Sequence, residues 1–230
     1  MDAEPPGVTR VRAHNPSPLT LDGTNTYVVG RWVVDPGPAD EAHLDALRAA
    51  ATAGIEGVVL THGHLDHAEG AGALGAPVVR PGEGEEVGPF RALATPGHSP
   101  DSVCLIAAGG VCFTGDTVLG EGSVFISPHE GSLSAYLDSL RRLRKLDLEV
   151  LCPGHGPYVW DPRAKLDEYI EHRLDREGRL LAALESGLRA NDDLLDAAWS
   201  DVPTFLRPAA ELTLRAHLHK LAEEGRLPRD

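Results

Sequence analysis

In the stretch Thr61-His62-Gly63-His64-Leu65-Asp66-His67, three imidazoles and a carboxylate fall within six consecutive positions. Histidine nitrogens and an aspartate oxygen are ligand types that suit a zinc ion. The stretch follows the apolar run Ile55–Leu60, which is β-branched, bounded by glycines and too short for a helix, so it reads as a short buried strand. In extended chain, residues two apart face the same way, which lets His62 and His64 grip one ion together. Asp66 and His67 fall beyond the strand, where the chain can turn toward a second ion. The bland alternative is a histidine-rich surface loop; four ligand-type side chains packed at a strand end argue against it.

Three later segments extend the pattern: Thr95-Pro96-Gly97-His98, Phe113-Thr114-Gly115-Asp116-Thr117 and Cys152-Pro153-Gly154-His155-Gly156-Pro157. Each sets one ligand-type residue beside glycine after an apolar stretch (Val87–Leu93, Val111–Phe113 and Leu148–Cys152). Glycine permits tight turns there, so each side chain would be presented from a strand end into a shared cleft.

The order His-x-His-x-Asp-His, then separate His, Asp and His, resembles the metallo-β-lactamase-fold hydrolases. That resemblance implies an αββα sandwich of two mixed sheets flanked by helices, an α/β (α+β) class, with two zinc ions per chain. It assigns His62, His64 and His98 to the first zinc and Asp66, His67 and His155 to the second, with Asp116 bridging them. It also casts Asp66 and Asp116 as the catalytic carboxylates that orient a metal-bridging hydroxide. Glu69 stands where many relatives carry a small residue, adding a negative charge near the site. Asn15-Pro16-Ser17-Pro18-Leu19-Thr20-Leu21-Asp22-Gly23-Thr24-Asn25-Thr26-Tyr27, Leu119-Gly120-Glu121-Gly122, Pro153–Pro157 and Tyr169-Ile170-Glu171-His172-Arg173 resemble the branch of the mitochondrial lactamase-β-like endoribonuclease. That branch also holds fungal thioesterases of polyketide pathways.

The elements that must position these residues can be read coarsely. Residues 1–161 form the catalytic domain, with strand-like runs at Thr26–Val29, Trp32–Val34, Val58–Leu60, Val78–Val79 and Val103–Ile106. Helical patterns cover Asp40–Ala53 and Leu133–Leu146, the latter with Ser132 as N-cap. Residues 162–230 form a small helical, winged-helix-like domain. It holds a long helix Ala164–Ser186 ended at Gly187, a short helix Leu194–Trp199 capped by Asn191 or Asp192, and a helix Pro208–Glu224 with Leu214, Leu218 and Leu221 as its buried stripe. The run Leu221–Leu227 resembles a helix-then-wing turn, although a helical appendage that shapes or covers the cleft is the preferred reading.

Composition bounds the function. The chain has 230 residues, 42% of them hydrophobic, and no apolar run long enough to span a bilayer. Met1–His14 lacks the apolar core of a signal peptide. Cys104, Cys112 and Cys152 form no close pair and fit reduced thiols of a cytoplasmic protein, with Cys152 a lesser candidate to line the site. Residues 1–162 carry 10 Lys+Arg against 21 Asp+Glu, and residues 163–230 carry 11 against 14, within a net charge of −14. Nucleic-acid affinity leans on lysine and arginine, so duplex DNA is not expected as a partner. The densest basic patch, Arg141, Arg142, Arg144 and Lys145, reads as a solvated helix face. Two substrate classes remain for a zinc hydrolase: single-stranded RNA, and a small ester or thioester cleaved as by a glyoxalase II-type enzyme. The rival from another class is a non-catalytic nucleic-acid-binding regulator. Among lesser candidates, Asp35 would fix a turn beneath the metals, Tyr158 could form a cleft wall, and His129 and Glu130 sit in a glycine-flanked loop where a substrate-contacting group could lie, although a surface histidine is the preferred reading. His43, His172, His217 and His219 sit on predicted helices without ligand spacing.

Overall fold

The computed structural model describes residues 3–228; the first two and last two residues of the two domains drawn from the sequence lie outside them. Among the described residues, ten strands form two five-stranded sheets, each built from one contiguous stretch of chain. In the first sheet, β1 (Val8–Arg12), β2 (Asn25–Val29), β3 (Trp32–Val34), β4 (Gly57–Val59) and β5 (Val78–Val79) lie side by side in chain order. The second runs β10 (Val150–Pro153), β9 (Val111–Gly115), β8 (Val103–Ala107), β7 (Phe90–Ala94), β6 (Glu86–Val87). β3–β4–β5 and β9–β10 are parallel and the remaining pairs antiparallel, so both sheets are mixed.

The apolar residues dictate the layers. Tyr27, Val34 and Val59 of the first sheet meet Phe90, Leu105 and Phe113 of the second in a core between them. Helix α1 (Glu41–Ala50) buries Leu44 and Leu47 on the outer side of the first sheet against Val28, Val33 and Val58. On the outer side of the second, α3 (Leu133–Leu143) buries Leu133, Leu137, Leu140 and Leu143 at helical spacing, with Leu166 and Tyr169 of α4 (Pro162–Glu185). Each fully buried leucine contributes about 1.5–3 kcal/mol. Helix, sheet, sheet, helix is the αββα order the resemblance implies. Ser132 caps α3 as expected, its hydroxyl accepting from the Ala135 N–H at 3.2 Å.

The run Val87–Leu93 divides into β6 and β7 around Gly88, whose φ of +56° turns the chain back into a hairpin. Helix α4 begins two residues earlier than its apolar pattern, because Asp161 accepts from the Ala164 N–H at 3.0 Å and Pro162 suits the first turn. It ends at Gly187 (φ +94°), as expected. Helix α5 (Asn191–Ala198) starts at Asn191, with Ala190 in the cap position and no side chain serving as cap, so neither Asn191 nor Asp192 caps it. Helix α6 (Arg207–Glu223) buries Leu214 and Leu221, half-buries Leu218, and packs with Leu180, Leu184, Leu194, Leu195 and Trp199 into a separate small core. The chain turns at Gly225 (φ +65°), and no strand follows among the described residues. No helix among the described residues is long and apolar enough to cross a membrane.

Candidate metal centre in an interdomain cleft

Strands β7, β9 and β10 run the same way in the second sheet. The chain leaving each of them, and the chain leaving β4 in the first sheet, delivers ligand-type side chains to one shared edge. After β4 the chain runs extended through His62 to His64, then tightens into the single turn α2 (Leu65–Ala68), which aims Asp66 and His67 inward. β7 leads to His98, β9 to Asp116 and β10 to His155. A register shift at Cys152–Pro153 bends β10 just before His155. Asn25 holds that bend by donating to the carbonyls of Pro153 (3.0 Å) and Gly156 (2.8 Å).

All seven residues converge. His62, His64, His98 and Asp116 form one group whose candidate ligand atoms lie within 4.8 Å of one another; Asp66, His67 and His155 form another. His98 Nε2 stands 3.0 Å from His64 Nδ1, and His67 Nε2 stands 3.3 Å from His155 Nε2. Asp116 sits between the groups: Oδ2 is 3.6 Å from His98 Nε2, while Oδ1 is 3.3 Å from His67 Nε2 and 3.4 Å from His155 Nε2. Asp66 Oδ2 closes the second group at 3.3 Å from His155 Nε2.

The outer nitrogens explain why the inner ones converge. His67 Nδ1 donates to Asp35 Oδ2 at 2.9 Å, His98 Nδ1 to the Phe125 carbonyl at 3.0 Å and His155 Nδ1 to the Gly23 carbonyl at 3.3 Å. His64 is turned round: its Nδ1 faces inward and its Nε2 lies 3.4 Å from Glu130. Each arrangement leaves a lone pair aimed at the centre, the orientation that buried metal ligands need. His62 Nε2 and Asp116 Oδ1 are buried with no hydrogen-bond partner, a costly state unless a cation is shared there. A Cβ on Gly154 would stand 2.5 Å from His67 Cε1 and 2.8 Å from Asp116 Oδ1, so the space is kept clear by glycine. The donor set, the orphaned atoms and the cleared space fit divalent metal binding.

Asp35 also lies within reach of His62 and His67, but its oxygens are engaged. Oδ1 accepts from the Thr61 N–H (2.8 Å) and Oδ2 from the Thr61 hydroxyl (2.6 Å) as well as from His67. It therefore orients ligands from beneath, at the cost of a left-handed backbone (φ +48°).

The buried imidazoles and carboxylates shift one another's proton affinities in opposite directions. Burial, then neighbouring His67, pushes His62 down to about 3, and burial lowers His98. For His155, burial acts against the charged form, yet Asp116 and Asp66 raise it to about 9. His67 is likewise held well above the ordinary imidazole value, against its burial, by Asp116 and Asp35. Asp116 is held well below the carboxylate range despite burial, by His67 and His155.

The centre opens into a cleft of about 260 Å³ between the catalytic unit and the C-terminal helices, with His98 and Asp116 on its floor. Its walls are mainly apolar, from Leu21, Val124, Trp199, Val202, Leu206 and Ala210. The sequence reading did not assign these wall residues to the site. The signal was present: the segments resembling the branch contribute Pro18, Leu19, Leu21, Leu119, Glu121, Gly122, His172 and Arg173 to this one cleft. Tyr158 does not line it; 6% exposed, it packs between the sheets near Tyr27. Cys152 is fully buried in the same core. Glu69 turns away to accept from the Ala39 N–H, and His129 stays at the surface. His43 is bonded to Thr26 in the interior, and His217 is fully buried beside Trp199.

Comparison with known proteins agrees with this architecture. Residues 19–77 and 75–155 match the metallo-beta-lactamase superfamily, and residues 191–230 match the beta-lactamase associated winged helix domain. A beta-lactamase-like protein 2 homolog of Drosophila melanogaster is 32% identical over 96% of this chain and 89% of its own. An atrochrysone carboxyl ACP thioesterase of Aspergillus fumigatus is 32% identical over 86% of this chain and 71% of its own. A metallo-beta-lactamase family protein from Thermus thermophilus superposes with a TM-score of 0.77 at 24% identity, over 96% and 94% of the two chains. Residues 191–230 thus match the winged helix domain, and α4, the segment from Trp199 to Leu206 and α6 wall the cleft. The chain belongs to the metallo-β-lactamase superfamily of hydrolases and carries the winged helix domain associated with it.

Proposed function

We propose that this protein is a dinuclear zinc hydrolase of carbonyl esters or thioesters. One observation carries the two-metal reading: the two oxygens of Asp116 face different ligand groups, Oδ2 toward His98 and Oδ1 toward His67 and His155. His62, His64 and His98 would hold one zinc, Asp66, His67 and His155 the other, with Asp116 shared. Bound zinc brings the pKa of water to about 7 and polarises an electrophile's oxygen. The protein's own residues do the rest. Asp116 and Asp66 orient the attacking water, and Asp66, about one-third exposed, accepts its proton. Apolar cleft walls hold the acyl part and exclude bulk water.

The cleft supports a carbonyl substrate over RNA. Arg141, Arg142 and Arg144, three of the four cations in the densest basic patch, are taken by Asp138, Glu83 and Asp167. On α6, Arg207, Arg215 and Lys220 pair with Asp196, Glu211 and Glu177, which also weakens the regulator reading. Single-stranded RNA is the second reading, supported by the branch-like motifs converging on the cleft. We further place the domain boundary between Asp161 and Pro162, where α4 is capped, and the protein in the cytoplasm, a location supported by three buried thiols with no disulfide.

The deciding experiment presents the zinc-loaded protein with an aliphatic acyl thioester and with labelled single-stranded RNA, Asp116→Ala serving as control. Thioester turnover that falls to background in the variant supports the proposal. Asp116-dependent cleavage of RNA alone transfers the assignment to an endoribonuclease. Purified protein that takes up no metal refutes both.

A further inference from the structure

Arg173 is a buried cation without a counter-ion. It projects from α4, 3% exposed, with its guanidinium carbon 5.6 Å from the Tyr136 ring centroid. One terminal nitrogen donates to the Val124 carbonyl, while the Nε–H is buried without an acceptor. Burial disfavours its charge and Tyr136, which also hydrogen-bonds it, and Tyr169 favour it, while among the described residues no carboxylate pairs with it.

Its neighbours are treated differently. Arg176, one turn along α4, is held by Asp201 at 2.6 Å, and Lys220 is held by Glu177 at 2.6 Å. A chain with 35 Asp+Glu against 21 Lys+Arg has carboxylates to spare. An unpaired buried charge is destabilising, yet this one is kept. It is kept in the wall of the cleft whose floor carries His98 and Asp116, among the otherwise apolar surfaces of Val124 and Trp199.

We propose that Arg173 is the protein's half of an ion pair whose other half arrives with the substrate: the cleft takes an ester or thioester whose apolar body bears a carboxylate. This rests on the hydrolase reading above. The guanidinium fork suits a carboxylate, and pairing in an apolar wall is stronger than in water. The charge of Arg173 then serves selection, drawing an anionic ligand into a protein of net charge −14 that would otherwise repel it.

The test is calorimetric titration of 4-phenylbutyrate and its neutral amide into the full chain, as purified and after zinc chelation, so that coordination to metal is separated from pairing with Arg173. In both states the carboxylate should bind on the order of tenfold tighter than the amide. R173Q should abolish that preference while leaving amide affinity unchanged, and R173K should retain part of it. Equal affinities for the two probes in the chelated protein would overturn the inference, as would an unchanged preference in folded R173Q. Where R173Q fails to fold, R173K decides: a reduced preference supports pairing with the fork and an unchanged one refutes it. Hydrolysis is read separately. If no ester or thioester is cleaved while carboxylate binding depends on Arg173, the hydrolase reading fails and the anion site stands. If neutral esters are cleaved with kcat/KM equal to that of carboxylate-bearing ones, the reverse holds.

Discussion

Asparagine in place of Asp35 changes one atom and disturbs the metal centre from beneath. In the native site Oδ2 accepts twice, from the Thr61 hydroxyl at 2.6 Å and from His67 Nδ1 at 2.9 Å. An amide NH2 there cannot accept, so His67 must swing away or move its proton to Nε2, the nitrogen facing Asp116 and His155. Flipping the amide instead opposes the NH2 to the Thr61 N–H, which Oδ1 now satisfies at 2.8 Å. Either way one buried hydrogen bond is lost, costing about 1–3 kcal/mol of stability. Zinc affinity in the group of Asp66, His67 and His155 should fall roughly 10–100-fold, the usual consequence of losing such a partner. The effect on His62 should be smaller, since its hydrogen-bonded link to Asp35 runs through Thr61. Competition against a chromophoric zinc chelator measures both affinities and a urea melt measures stability. Two wild-type affinities with a stability loss under about 0.5 kcal/mol would refute the orienting role of Asp35.

Two other substitutions probe different links. Gly154→Ala places a methyl 2.5 Å from His67 Cε1 and 2.8 Å from Asp116 Oδ1, so zinc content by mass spectrometry should drop from two ions toward one while the sandwich still melts cooperatively; full occupancy would show that the space is not needed. His217 is buried without hydrogen-bond partners, and burial, then Arg173 and Lys220, lowers its pKa to about 3. A histidine whose folded pKa lies below its unfolded value of about 6.5 lends stability above that value, lost as pH falls from about 6.5 toward 3. Between neutrality and pH 5 the loss is about 2 kcal/mol. His217→Leu should remove that part of the acid sensitivity in urea melts of zinc-free protein; identical pH profiles would refute it.

The ligands were legible because coordination chemistry restricts residue type and strand ends restrict spacing: His62, His64 and Asp66-His67 announce themselves within one segment. The long helix was legible as a charged run ended by Gly187. What escaped depended on contacts between distant segments. Nothing local distinguishes Tyr158 in the core from Tyr158 on a cleft wall; the decision comes from Tyr27, which joins it across the sandwich. The burial of His217 depends on α5 bringing Trp199 against α6. The hairpin between β6 and β7 hung on the left-handed turn at Gly88 within an apolar run. Arg173 was noticed as part of a motif, but its missing counter-ion is visible only when every neighbour has been placed.

Each sheet is made from one unbroken length of chain, residues 8–79 and then 86–153. Strand pairing is therefore local in sequence, and each half can order its own ladder before meeting the other. The metal cluster has no such independence: His62, His64, Asp66 and His67 come from the first half, and His98, Asp116 and His155 come with the second. During synthesis the set is incomplete until His155 has emerged and the halves have docked. Metal ions bound there, as proposed, would then act as rivets through two finished plates rather than as a seed for either. Because a ligand stabilises only the state that binds it, zinc scarcity should loosen the seam between the sheets before it loosens the sheets themselves.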